Sequence, residues 1–163
     1  MFENVTIKGD AILSNDIIQI TPNKIWKVSQ ATYKDPFHLG DQASERLTDF
    51  NTYFFYNWAG SMGLPIMQID PLTWTPFVAV EFDTFPNAWD PSEIHVGINI
   101  NSLESNATII WYNNITYGRD NEAWISYDSS SKNLSVVFTG YINNTRFKSV
   151  LSWPINLRDY LSE

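Results

Sequence analysis

Glu81, Asp83, Asn87, Asp90 and His95 fall within fifteen positions of one another, in the run VEFDTFPNAWDPSEIH. Their neighbours are strand and turn formers. Val78, Val80 and Phe82 alternate with Ala79, Glu81 and Asp83. Successive side chains in a strand point to opposite faces, so Glu81 and Asp83 leave one face side by side. Two carboxylates held that close repel, and a cation is the usual remedy. A tight turn, Pro-Asn-Ala-Trp-Asp-Pro at 86–91, adds Asn87 and Asp90. The chain returns through His95-Val-Gly-Ile-Asn99, with His95, Gly97 and Asn99 on one face. Three carboxylates and one imidazole suit a divalent transition ion such as manganese. Asp83, Asn87, Asp90 and a main-chain carbonyl of the turn form an all-oxygen set that suits calcium. The set is small for two ions, unless Asp83 and Asp90 bridge them. A solvated acidic hairpin with an ordinary histidine is the competing reading for such a pattern.

The order of residues here goes further than their types. VAVEFDTFPN, then WDP, then HVGININS resembles the metal-binding signature of the legume-type (L-type) lectins. IKGDA at 7–11, LSVVF at 134–138 and NLRDYL at 156–161 are similar to other elements of that family. NNITYGRDNEAWISYDSSSKNLSVVFTG is most similar to the extracellular domains of plant lectin receptor-like kinases. The resemblance implies an all-β fold: an antiparallel β-sandwich of the concanavalin-like jelly-roll type, incomplete at its end. It implies a lectin that binds glycans, with calcium and manganese as cofactors. Glu81, Asp83, Asp90 and His95 would hold manganese, with Ser105 supporting that site through a metal-bound water. Asp83, Asp90, the Asn87 side chain and the Phe85 carbonyl would hold calcium. Asn87 would also offer its amide N–H groups to a sugar hydroxyl. Trp89 is read as a packing residue rather than an aromatic flank of the site.

Two parts of the family's sugar site have no counterpart. The Ala-Asp-Gly segment, whose Asp accepts sugar hydroxyls, is absent from the short connection between 50–64 and Phe77, and Asp70 stands in a different context. The chain also stops at Glu163, before the family's last strand and specificity loop. The alternative function is therefore a shortened lectin homologue that keeps metal for stability and has lost sugar recognition.

The rest of the chain must supply the scaffold. Alternating runs recur at 5–7, 17–20, 52–56, 77–83, 95–101, 107–112, 123–127, 134–139 and 147–153, separated by turn signals such as 118–121 and 128–131. Many short, evenly spaced strands argue an antiparallel sandwich. Residues 1–163 are expected to form one domain. Seven Trp and ten Phe can fill its core, and Trp124 and Trp153 are placed there. A net charge of −8 disfavours nucleic acid as a partner. Arg146-Phe147-Lys148 reads as a solvated strand edge, and open edges admit a homo-oligomer. No Gly-x-Ser-x-Gly, phosphate-binding loop or zinc-type histidine pair occurs, and His38 lies in loop-like sequence, so no enzyme is expected. Cysteine is absent, so disulfides are excluded. Sequons at Asn4, Asn106, Asn114, Asn133 and Asn143 suggest a secreted glycoprotein, extracellular or apoplastic. Neither a signal peptide nor a membrane span is seen in the chain.

Overall fold

A computed structural model describes residues 4–14, 17–19, 29–35, 38–41, 46–56, 76–85, 87–91 and 93–161. The chain divides into two compact units, one of residues 1–37 with 59–70, the other of 38–58 with 71–163. The smaller holds β1 (Val5–Gly9), β2 (Ile12–Ser14), β3 (Ile17–Gln19) and β4 (Ser29–Tyr33). β1 pairs antiparallel with β4, and β2 with β3.

The larger unit holds β5 (Gly40–Asp41), β6 (Arg46–Leu47), β7 (Phe50–Tyr56), β8 (Val78–Asp83), β9 (His95–Ile100), β10 (Ala107–Ile110), β11 (Asn121–Asp128), β12 (Asn133–Ile142) and β13 (Thr145–Pro154). Two short 3-10 turns, Ile115–Tyr117 and Leu157–Asp159, are its only helical elements among the described residues. Antiparallel pairing builds a three-stranded sheet, β10-β9-β8, and a four-stranded sheet, β13-β12-β11-β7.

Alternation decides what each strand buries. In β12, Leu134, Val136 and Phe138 are buried while Ser135 and Val137 take the other face. Val96 and Ile98 of β9 meet them from the three-stranded sheet in one core with Trp111, Ala123, Tyr127, Ile155 and Leu157. Phe82 of β8 packs edge-on against Phe138, with ring centroids 6.4 Å apart, and against Trp111 at 5.3 Å. The two sheets of this unit thus form a sandwich across an aromatic core. Two polar side chains inside it are matched: the Trp111 indole N–H donates to the Thr139 carbonyl at 2.9 Å, and the Tyr127 hydroxyl to the Ile155 carbonyl at 3.2 Å.

Turn chemistry sets the hairpins. Asn143 and Asn144, with φ of 49° and 63°, make the two-residue turn between β12 and β13. Both positions need positive φ, which Asn tolerates well. Between β11 and β12, Asp128 Oδ1 accepts from the Ser130 and Ser131 backbone N–H groups at 2.9 and 3.2 Å. From outside the turn, Asp49 Oδ1 accepts from the Ser129 N–H at 2.7 Å.

Two expectations change and one holds. The strand expected over 107–112 ends at Ile110, because the chain turns inward at Trp111 to bury its indole. Trp124 belongs to the outward face of β11, only partly buried, with the Lys148 ammonium 4.1 Å from its ring centroid. The 146–148 segment does lie on the edge strand β13 with Arg146 and Lys148 exposed, and Arg146 pairs there with Glu122 at 2.5 Å. Strands β2, β4, β5 and β6 add to the alternating runs. No helix among the described residues is long and apolar enough to cross a membrane.

Candidate metal centre

The β8–β9 register places Glu81 opposite Gly97 and Asp83 opposite His95. All four leave the face opposite the core-facing Val80, Phe82, Val96 and Ile98. That face is polar yet covered: Asp83 is 3% exposed, His95 1% and Asn99 fully buried. Gly97 is required there, because a Cβ would lie 2.6 Å from Glu81 Oε1 and closer still to Ser105 Oγ.

Two loops cover the face. Residues 101–106 fold back on β9, with Asn101 at φ 53° and the Asn106 N–H donating to the Ile98 carbonyl at 2.8 Å. Asn99 Nδ2 holds that loop by donating to the Ser102 and Leu103 carbonyls at 3.3 and 3.1 Å. Asn101 Oδ1 accepts from the Phe77 N–H at 2.7 Å. Both asparagines are thus structural hydrogen-bonders. The loop delivers Ser105 Oγ to hydrogen-bonding distance of Glu81 Oε1 and of Asn99 Oδ1.

The other loop is the turn after β8. The Phe85 N–H donates to Asp83 Oδ1 at 2.6 Å, and the Asn87 N–H to Asp90 Oδ2 at 2.7 Å. Asn87 Nδ2 donates to Asp90 Oδ2 at 2.9 Å and approaches the Phe85 carbonyl at 3.4 Å. The amide edge turned toward Asp90 and Phe85 is therefore the NH2 edge. Half a turn of the amide plane brings Oδ1 to that side and frees the N–H donors.

His95 Nδ1 lies 3.1 Å from the Glu93 carbonyl, which can only accept, so Nδ1 carries the proton. The ring's Nε2 lies 3.2 Å from Glu81 Oε1. Two electron-rich atoms at that distance need a proton or a cation between them. Such a carbonyl anchor is also how metal-binding histidines are oriented. Burial pushes the Asp83 carboxyl above the usual carboxylate range, reinforced by the neighbouring Asp90 and opposed by the Phe85 N–H. Burial acts on Asp90 too, but hydrogen bonds from Asn87 and Asp83 outweigh it and hold Asp90 below that range. Ligand atoms of Glu81, Asp90 and His95 all lie within 4.8 Å of one another. Oxygen and imidazole donors converging on one covered spot fit a divalent ion.

Every metal residue anticipated from the sequence is therefore gathered around one hairpin, with Asp83 on Asp90 and Ser105 on Glu81. Trp89 departs from expectation. It is half exposed rather than packed, and Phe85, in the same turn, is 69% exposed. Reading the turn for its oxygen ligands misses these aromatic faces; two large apolar residues in a polar turn are the available signal. Asp70 and most of the 50–75 connection lie outside the described residues.

Strand pairing, an aromatic sandwich core and a covered metal hairpin define an all-β binding domain with the jelly-roll architecture of known lectins. The Lotus tetragonolobus seed lectin superposes with a TM-score of 0.78 at 28% identity, covering 99% of this chain and 81% of that one. Basic winged bean lectin, solved with Tn-antigen, gives 0.77 at 26% identity over 99% of this chain and 78% of its own. The Legume lectin domain profile matches residues 1–63 and 55–163, and the chain belongs to that family. Lectin 9 of Medicago truncatula is 30% identical over 202 aligned residues, covering 98% of this chain and 72% of that protein. The seed lectin of Vatairea macrocarpa is 30% identical, with 99% and 78% covered. The aligned span with lectin 9 exceeds the chain's own 163 residues. The relative therefore has internal segments that this chain lacks.

Proposed function

We propose that this chain is a carbohydrate-binding lectin domain whose sugar site is organised by metal on the 81–95 hairpin. The observation that carries the reading is the convergence of Glu81, Asp90 and His95 donors within 4.8 Å, with His95 buried and the two carboxylates partly so, in a chain of the legume lectin family. Glu81, Asp83, Asp90 and His95 would hold Mn2+, with Ser105 supporting the site. Asp83, Asp90, the Phe85 carbonyl and the Asn87 Oδ1 would hold Ca2+. The ions supply charge that fixes the turn. Asn87, its oxygen engaged, then presents N–H donors outward to a sugar hydroxyl. The exposed Phe85 ring offers a flat apolar face for the C–H side of a pyranose. Glycans are the ligand class, supported by the winged bean relative solved with Tn-antigen.

On this reading the two units belong to one domain, since relatives align along nearly the whole chain. The chain works by binding rather than catalysis, in an extracellular or apoplastic setting, and sheet edges are available for self-association. The likeness of residues 113–140 to receptor-kinase ectodomains belongs to the same reading.

The internal segments of lectin 9 that this chain lacks favour one competitor, a homologue in which metal serves stability alone. Isothermal titration against a glycan panel, with Ca2+ and Mn2+ and again in EDTA, separates the two. The lectin reading predicts binding to at least one glycan that disappears in EDTA. Binding that survives complete metal removal sinks the mechanism, and silence across the panel leaves the stability role.

A further inference from the structure

We propose that Asn143 is an N-glycan acceptor, chosen by the fold from among five sequons. The other four are compromised in specific ways. Asn133 sits in β12, opposite Pro154, partly buried, and its Nδ2 donates to the hydroxyl of its own sequon, Ser135 Oγ, at 2.8 Å. Asn106 commits its Oδ1 to the Ile100 N–H at 3.0 Å. Asn114 is partly buried, and its carbonyl accepts from Tyr117 N at 3.0 Å in the 3-10 turn. Asn4 is exposed, but its sequon Thr6 is partly buried in β1.

Asn143 combines what an acceptor needs. It stands at the tip of the β12–β13 hairpin, exposed, with φ 49°. Its sequon hydroxyl, on Thr145, is exposed as well, and no hydrogen bond ties down its amide among the described residues. Neither strand of the hairpin has to open to admit a bulky substituent. There is room beside the tip: a concavity of about 390 Å³ is lined by Asn114, Tyr117, Gly118, Arg119 and Asn144. Tyr117, at 82% exposure, gives it an aromatic wall.

The step is a transfer from a lipid-pyrophosphate-linked oligosaccharide. Asn143 Nδ2 forms a bond to the sugar C1, the C1–O bond to pyrophosphate breaks, the lipid pyrophosphate leaves, and the amide gives up one proton. The proposal requires passage through a secretory compartment. It is independent of whether the metal hairpin binds sugar.

The test uses the full chain secreted from plant cells behind a cleavable leader, then deglycosylated by a peptide N-glycanase in heavy-oxygen water. Trypsin cutting after Lys132 and Arg146 releases one peptide that carries both Asn133 and Asn143, so fragment ions compare the two directly. Heavy-oxygen Asp at position 143 and unmodified Asn133 are expected, and the label should vanish in Thr145→Ala with the far-ultraviolet spectrum unchanged. An unlabelled position 143 overturns the proposal. Label at position 133, alone or alongside 143, overturns the structural ground for the choice.

Discussion

The two faces of the β8–β9 hairpin are buried to a similar degree by opposite chemistry. On the inner face Val80, Phe82, Val96 and Ile98 join the sandwich core. On the outer face Asp83, His95 and Asn99 are just as hidden, beneath the 84–94 and 101–106 loops. Burying apolar surface stabilises by itself, at about 25 cal/mol per Å2. Burying carboxylates does the opposite unless something returns the lost hydration. The inner face thus explains its own burial, whereas the outer face carries a charge cost that its hydrogen bonds, protonation or a bound cation can lower. A metal that binds the folded state alone supplies such a cation.

The comparison can be broken first on its inner face. Ile98→Ala should cost about 2–5 kcal/mol, the range for truncating a fully buried aliphatic residue. Denaturant unfolding should give the same loss with Ca2+ and Mn2+ present and in EDTA. A loss that depended on metal would mean that the two faces are not separate.

The outer face should respond the other way round. Asp83→Asn keeps shape and removes charge. In EDTA it should leave stability unchanged or raise it, because an unpaired buried carboxylate is a burden. With both ions at a hundred times their dissociation constants, the wild type gains about 2.7 kcal/mol per site, and the variant should forfeit most of that. Equal loss in both conditions would assign Asp83 a purely structural role.

A smaller effect sharpens the contrast, because it concerns carboxylates whose partners are all protein. The Ser130 hydroxyl and the backbone N–H groups of the 128–131 turn hold Asp128 down to about 2, and Ser129 likewise lowers Asp49. A depressed folded value means that the contribution is fully present above the ordinary carboxylate value of 3.8 and is lost as pH falls toward about 2. Asp128→Asn should flatten the acid limb of the melting curve between those values, with no change in its response to metal. An unchanged acid limb would remove Asp128 from the account.

How far the molecule is legible in its sequence follows from the same contrast. The candidate metal residues lie in one contiguous run; alternation puts Glu81 with Asp83 and His95 with Gly97, and the β8–β9 register brings the two strands' polar faces together. Ser105 cannot be placed that way. It arrives by a loop, and only the family resemblance names it. Trp124 escapes the pattern because apolar size says nothing about which face of β11 is inner; the neighbouring Ala123 and Ile125 decide that. The short strands β5 and β6 pair over two residues each, too few for alternation to register. Exposure at Phe85 and Trp89 depends on how the turn folds over Asp83 and Asp90, which periodicity does not reach.

The central claim is that the polar face of the β8–β9 hairpin is completed by divalent metal. Thermal unfolding of the wild type, stripped with EDTA and then titrated with Mn2+ and Ca2+, tests it most directly. The account predicts a rise of roughly 10–20 °C with both ions at a hundred times their dissociation constants, from the mass-action gain above at two sites and the midpoint shift expected at this chain length. Chelation should reverse it, and His95→Ala should abolish the manganese part. A melting temperature indifferent to both chelator and ions would contradict the claim.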